Sequence, residues 1–279
     1  MTAPRLPYFD LLFEGRAAGR PASAVLSRFV HWGYWEEPRL ADGTAEDLAA
    51  AMERLNAEVL KEARLADGQS VLDAGCGFGG TLACVNRAYE GMRLAGLNID
   101  ARQLEVARES LSARASNELR WVEGDACALP FPDASFDRVL AVECIFHFPS
   151  RARFLAEVSR VLRPGGRLSL SDFVPPDPGG RPSRLGTWLG RQVEAGYGDL
   201  GDGWPDGDYA AMAGAAGLRL AADRDVTRNT LPTYPALLSL LRGERGEGAR
   251  RLRWATRVLQ GLSRLGAVRY RVVAFEKPL

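Results

Sequence analysis

Few side chains in this sequence can do acid–base or nucleophilic chemistry, and their spacing is informative. There are two histidines in 279 residues. His31 lies in the aromatic run Phe29-Val30-His31-Trp32-Gly33-Tyr34-Trp35, and His147 lies in Glu143-Cys144-Ile145-Phe146-His147-Phe148-Pro149. A free imidazole titrates near ~6.5, which suits base work close to neutrality. Two carboxylates stand at the ends of apolar runs: Asp172 in Leu170-Ser171-Asp172-Phe173, and Asp73 in Val71-Leu72-Asp73-Ala74-Gly75-Cys76-Gly77-Phe78-Gly79-Gly80. Gly75, Gly77 and Gly80 fit the G-x-G-x-x-G spacing of a turn that brings backbone close to a ligand. A pyrophosphate would be repelled by Asp73 at the mouth of that turn. S-adenosylmethionine (SAM) carries a cationic sulfonium and an amino group, so it has the sign that Asp73 favours. A tight turn without a ligand is the plainer reading, and four glycines between an apolar strand and a helix count against it.

The remaining reactive residues point away from other chemistries. The four cysteines, Cys76, Cys84, Cys127 and Cys144, show no C-x-x-C spacing. A disulfide framework or zinc site is not expected, and a reducing cytoplasm is the default. Cys76 reads as a small residue in a tight space. No His and acidic residues cluster at metal-ligand spacing, so no metal is expected. The formal net charge is +1, with 46% hydrophobic and 25% charged residues. That is ordinary for a globular chain and gives no general signal for nucleic acid. Neither a signal peptide nor a membrane span is expected.

These residues need a scaffold, and the periodicity supplies one. Strands are expected at Ser70–Asp73, Arg93–Asn98, Leu119–Glu123, Phe136–Val142 and Gly166–Phe173, with helices at Thr81–Tyr89, about 101–113 and around Ala152–Leu162. Such alternation predicts a Rossmann-like α/β fold, with a seven-stranded, mostly parallel sheet between helices. Ligands of such sheets bind beyond the carboxyl ends of the strands. Thr44 reads as the N-cap of a helix that ends before Asp67-Gly68. Residues 1–43 read as an irregular aromatic lid and 176–205, rich in proline and glycine, as a cap insertion. Residues 44–175 and 206–279 form the core, with 228–266 lending helices to the cap. The helix predicted over Ala249–Leu265 interleaves arginines with Leu252, Trp254, Val258, Leu262 and Leu265. A solvated arginine face over a packed apolar stripe is the simpler expectation, and a membrane or nucleic-acid surface the sharper one.

Four motifs in this order resemble a class I SAM-dependent methyltransferase: VLDAGCGFGG; Gly96-Leu97-Asn98-Ile99-Asp100; Glu123-Gly124-Asp125-Ala126 followed by LPFPDASFD; and Val161-Leu162-Arg163-Pro164-Gly165-Gly166. They cover about 70–175. The subgroup most similar is the small-molecule one, with sugar O-methyltransferases of natural-product pathways and quinone and tocopherol methyltransferases; HWGYW adds to this. The resemblance implies that Asp73, Gly75 and Gly77 hold the methionine part of SAM. Asp125 would accept from the adenine amino group, the Ala126 backbone would read a ring nitrogen, and Glu143 would pack on the cofactor. The ribose is usually held by an acid at the end of the second strand. Here Asn98 stands there, followed by Ile99, with Gln103 as a second candidate. Turn chemistry is the plainer role for Asp125 and Asn98.

The resemblance also places a His and an Asp where His147 and Asp172 stand, which implies a hydroxyl acceptor deprotonated by His147 with help from Asp172. His31 has the weaker case, since packing among the aromatics explains it equally well. The acceptor would be a small, largely apolar molecule walled by residues such as Tyr34, Trp35, Phe146, Phe148, Phe173 and Trp188, with Phe9, Phe13 and Trp204 as further candidates. S-adenosylhomocysteine would be the product, and the chain a monomer or homodimer. A C- or N-methyltransferase, and a SAM-binding cyclase or regulator, are the alternatives. A nicotinamide oxidoreductase is opposed by Asp73 and by Asp125-Ala126.

Overall fold

The apolar runs become buried strands and the amphipathic runs become helices, in the alternating order that the periodicity predicts. The computed structural model describes residues 6–176, 183–201 and 208–279. Pro178, Gly179, Gly180, Pro182 and the Trp204–Gly207 turn lie outside the described residues. The chain opens with α1 (Pro7–Ala17), α2 (Pro21–Val25) and α3 (Ala45–Ala63). Next come β1 (Ser70–Ala74), α4 (Gly80–Ala88), β2 (Arg93–Asn98), α5 (Ala101–Ser110), β3 (Glu118–Glu123), β4 (Phe136–Val142), α6 (Arg151–Val161) and β5 (Leu162–Val174). The last elements are α7 (Arg184–Tyr197), α8 (Tyr209–Ala215), β6 (Arg219–Asp225), α9 (Thr227–Thr230), α10 (Thr233–Leu240), α11 (Glu247–Arg264) and β7 (Arg269–Glu276).

The seven strands form one sheet in the order β3-β2-β1-β4-β5-β7-β6. The pairs β1–β2, β1–β4, β2–β3 and β4–β5 are parallel. All five residues of β1 are buried, as a central strand with helices on both faces requires. Register then fixes which residues share an edge. Asp73 stands opposite Gly96 and Leu140, Asn98 opposite Glu123, and Val142 opposite Ser171. The ends of the first five strands therefore bring Asp73, Asn98, Asp125, Glu143 and Asp172 to the same edge of the sheet.

The described residues divide into two compact units. One comprises Asn56–Asp172, Gly201–Arg224 and Arg271–Leu279; the other comprises Met1–Leu55, Phe173–Leu200 and Asp225–Tyr270. In the second unit α7 packs along α11, with Gly196 at the closest approach: a Cβ there would lie 2.5 Å from that of Ala255. Tyr197 and Thr256 share a hydrogen bond at 2.8 Å, and Tyr234 and Ser263 another at 2.7 Å.

The N-terminal region is more regular than its sequence suggested. The helices α1 and α2 each have proline in the first turn, where its missing N–H costs nothing and its fixed φ fits. The expectation that 1–43 is irregular therefore missed two helices. Thr44 does cap α3, its Oγ1 accepting from the Asp47 N–H at 3.1 Å. The apolar stripe of α11 is narrower than expected. Leu252, Ala255 and Leu259 are buried, but Trp254 and Leu265 are exposed.

Candidate active site

The glycine turn is shaped by the residues that pack against it. Gly75 and Cys76 both donate to the Leu97 carbonyl, at 2.8 and 3.0 Å, tying the tip of β1 to β2. Gly75 has φ +83°, and a Cβ on it would lie 2.7 Å from the Cβ and Sγ of Cys144. Cys144 in turn donates its thiol to the Ala74 carbonyl at 3.0 Å. Gly77, at φ +53°, has nothing nearer than 3.9 Å where a Cβ would be, so its outer side is open. Trp121 of β3 lies where Cβ atoms on Gly79 and Gly96 would be. The sequence alone did not link Trp121 or Cys144 to the glycine turn. The available signal for Trp121 was a large ring in β3 beside two glycines.

Asp73 is buried, and its Oδ2 has no hydrogen-bond partner among the described residues. Burial pushes its carboxyl up to about 7. A carboxylate held this way at the mouth of a glycine turn is suited to a cation. The residues present therefore fit the cationic amino and sulfonium groups of SAM. Cys76 and Cys144 are held well above ordinary thiols, first by burial and then by the charge of Asp73, so neither is a poised nucleophile.

The groups expected around ribose and adenine are partly engaged with each other. Asn98 Nδ2 donates to Gln103 Oε1 at 3.0 Å, and Asn98 Oδ1 accepts from the Asp100 N–H at 3.0 Å. Both side chains are buried, while Ile99 beside them is half-buried. Asp100 caps α5 through the Arg102 N–H. Asp125 Oδ1 accepts from the Cys127 N–H at 2.7 Å, so one oxygen shapes its own turn; Ala126 between them is buried. Glu143 is buried, with φ +51°, an uncommon conformation for a non-glycine residue. Its N–H donates to the Ser171 carbonyl at 3.0 Å. This turn out of β4 leads into the short 3-10 helix Ile145–His147.

His147 is half-buried, its ring 4.3 Å from that of Phe146. Asp172 is fully buried, and its Oδ2 accepts from Arg151 Nε at 3.2 Å and from the Tyr209 hydroxyl at 2.6 Å. Burial, then the Asp172 charge, holds the Tyr209 phenol well above its usual range, so it remains a donor. Burial lowers Arg151, but Asp172 and Tyr209 outweigh it. Arg151 and Tyr209 were not legible as partners of Asp172, because they come from α6 and α8. Gly201 adds a further constraint: a Cβ on it would lie 2.2 Å from the Phe148 carbonyl oxygen. Phe146 is buried and Phe148 half-buried against Phe154, with ring centroids 4.9 Å apart.

In the other unit, Trp35 is buried and tied down. Its Nε1 donates to Asp47 Oδ2 at 2.8 Å, and its backbone pairs with Asn229. Tyr34 is half-buried, with its carbonyl accepting from Arg54. Phe173 stacks edge-on with Trp32 and Tyr270, at 5.2 and 4.8 Å. Phe9 is buried, Phe13 half-buried and Trp188 exposed. Trp204 lies outside the described residues. His31 is buried; burial lowers it to about 4 against a hydrogen bond with the Trp32 carbonyl, which keeps it neutral at physiological pH.

Residues 72–170 match the family described as "Methyltransferase domain". An O-methyltransferase of Pyrenophora dematioidea is 37% identical over 165 residues, covering 59% of this chain and 60% of that protein. The chain thus spans about three fifths of that relative's length. Methyltransferase GfsG of Streptomyces halstedii is 36% identical over 225 residues, covering 77% of this chain and 74% of GfsG. Among solved structures, the [4+2]-cyclase SpnF shares the fold. Its TM-score is 0.73 and its identity 23%, with 100% of this chain and 98% of SpnF covered. Together with the glycine turn at the tip of β1 and the parallel strand edge above it, these likenesses show that the chain belongs to the class I SAM-dependent methyltransferases.

Proposed function

We propose that the protein transfers a methyl group from SAM to a hydroxyl of a small, largely apolar natural-product-type acceptor in the cytoplasm, without a metal. The observation that carries the donor half is the buried Asp73 carboxylate, with one oxygen unpartnered, beside the open side of Gly77. The hydroxyl half draws on the O-methyltransferase relative and on His147, a histidine just past the end of β4.

When bound, SAM would supply a methyl carbon already activated by its sulfonium. Asp73, Gly75 and Gly77 hold its methionine end, Glu143 packs on it, Asn98, Ile99 and Gln103 border the ribose, and Asp125 and Ala126 the adenine. His147 would take the proton of the acceptor hydroxyl, and the methyl group that SAM supplies would go to that oxygen, with the thioether as the leaving group. Asp172 supports His147 through the segment 144–151, which its bond to Arg151 anchors. Phe146 and Phe148, on either side of His147 in sequence, border the acceptor's path.

The test is His147→Ala, with SAM affinity by calorimetry and turnover by mass spectrometry on a panel of hydroxylated polyketides. A positioned base contributes roughly 10²–10⁴-fold, so turnover should fall by that factor with SAM affinity unchanged. Unchanged turnover removes the base role. A methyl group found on carbon or nitrogen, or SAM bound with no product, sets aside O-methylation.

A further inference from the structure

Two helices of one unit carry the same short pattern. In α7, Arg184, Trp188 and Arg191 stand at i, i+4 and i+7; in α11, Arg250, Trp254 and Arg257 repeat that spacing. Residues three and four apart share a helix face, so each tryptophan has a guanidinium on either side along its helix. The helices pack together, and Trp254 Nε1 donates to Gln192 Oε1 at 3.2 Å. Gln192 lies one turn beyond Trp188, so the two patterns meet on one surface. Trp188 is 49% exposed, Trp254 47%, and Leu185, one turn before Trp188, 65%. Arg184, Arg191, Arg250 and Arg257 are exposed and form no ion pair among the described residues. Arg251 is paired with Glu247, and Arg253 donates to the carbonyls of Leu241 and Glu244. The two helices hold seven arginines against two glutamates, in a chain with a formal net charge of only +1.

We propose that this surface docks on an anionic phospholipid membrane. Tryptophan suits the headgroup level, where its ring is half apolar and its N–H can meet a polar partner. Arginine stems lie along apolar surface while their heads reach phosphate. The patch is too small for a stable protein interface. A half-exposed tryptophan offers roughly 100 Å², so the three apolar side chains total roughly 300 Å², against ~800 Å² per partner in a standard interface. No helix among the described residues is long and apolar enough to cross a membrane, so the contact is peripheral. The docking does not depend on which atom is methylated.

The experiment is sedimentation of the full chain with vesicles of phosphatidylcholine and phosphatidylglycerol in equal parts, and with phosphatidylcholine alone. Binding should appear on the anionic vesicles, weaken with added salt, and be near absent on phosphatidylcholine. Arg250→Gln/Arg257→Gln should weaken it roughly ten- to thirtyfold, and Trp188→Ala/Trp254→Ala at least as much. SAM affinity and the melting temperature, measured on each variant, should stay at the parent's values. Equal vesicle binding by parent and variants overturns the proposal, as does no binding at low salt. So does a concentration-dependent dimer abolished by the tryptophan pair, which would make the surface a contact between two copies.

Discussion

At the scale of the residue, Asp73 is the most informative group. Its carboxyl stands at about 7 because burial disfavours its charge. A cationic cofactor binds the ionised form, so cofactor affinity should fall as pH drops below about 7, by up to roughly tenfold per unit. An α-amino group loses its charge near ~8, so affinity should fall again above that. The expected profile is a narrow bell between those values, read by calorimetry in buffers of matched ionic strength. S-adenosylhomocysteine keeps the amino group and lacks the sulfonium. The same bell for both ligands would locate the amino group at Asp73, and a flat acid limb for the product alone would locate the sulfonium there. Asp73→Asn should weaken binding by roughly ten- to a hundredfold, the scale of a hydrogen bond to a charged group, and remove the acid limb.

At the scale of the element, β2 and β3 are matched to the glycine turn by one ring. A Cβ on Gly96 would lie 2.4 Å from Trp121 ring carbons, and one on Gly79 2.6 Å from the same ring. Gly79 also has φ +81°, whereas Gly96 has no positive φ. Gly96→Ala should therefore fail through the clash alone, costing about 1–3 kcal/mol of overpacking. Trp121→Leu should make Gly96→Ala nearly neutral in that background. The same rescue should be incomplete for Gly79→Ala, whose left-handed backbone keeps roughly 1 kcal/mol of strain. Urea unfolding of the singles and doubles gives the two coupling energies; equal rescue at both glycines would show that backbone strain is not felt at Gly79. This also marks where sequence reading ends. The strands and the chemistry-bearing positions at their tips follow from hydrophobic period and turn residues. The ring that fits over two glycines, and the pairing of Asp172 with Arg151 and Tyr209, depend on elements that sequence alone does not register against each other. The helices α1 and α2 were missed for a local reason, since a proline in a first turn favours a helix start.

At the scale of the whole molecule, the buried carboxylate becomes a property of stability. The Asp73 pKa is raised in the folded chain, from 3.8 to about 7. The stability it contributes is thus fully present below about pH 4, and is lost as pH rises through about 7, where burial must tolerate a charge. Without cofactor, this group alone makes the fold less stable at about pH 7.5 than at about pH 5.5. The cofactor reverses the sign, because it binds the form that dominates at the higher pH. At a concentration a hundredfold above its dissociation constant, SAM should add about 2.7 kcal/mol, a rise of about 5–10 °C in melting temperature for a chain of this size. The rise should be clear at about pH 7.5 and much smaller at about pH 5.5 for the same total SAM, since the protonated carboxyl no longer attracts it. Scanning calorimetry at both values, on the parent chain and on Asp73→Asn, separates this from the other carboxylates. The variant should lose the pH dependence of the SAM-induced shift and keep the rest of the acid transition. A shift of equal size at both pH values in the parent would show that Asp73 is not where the cofactor's charge is met.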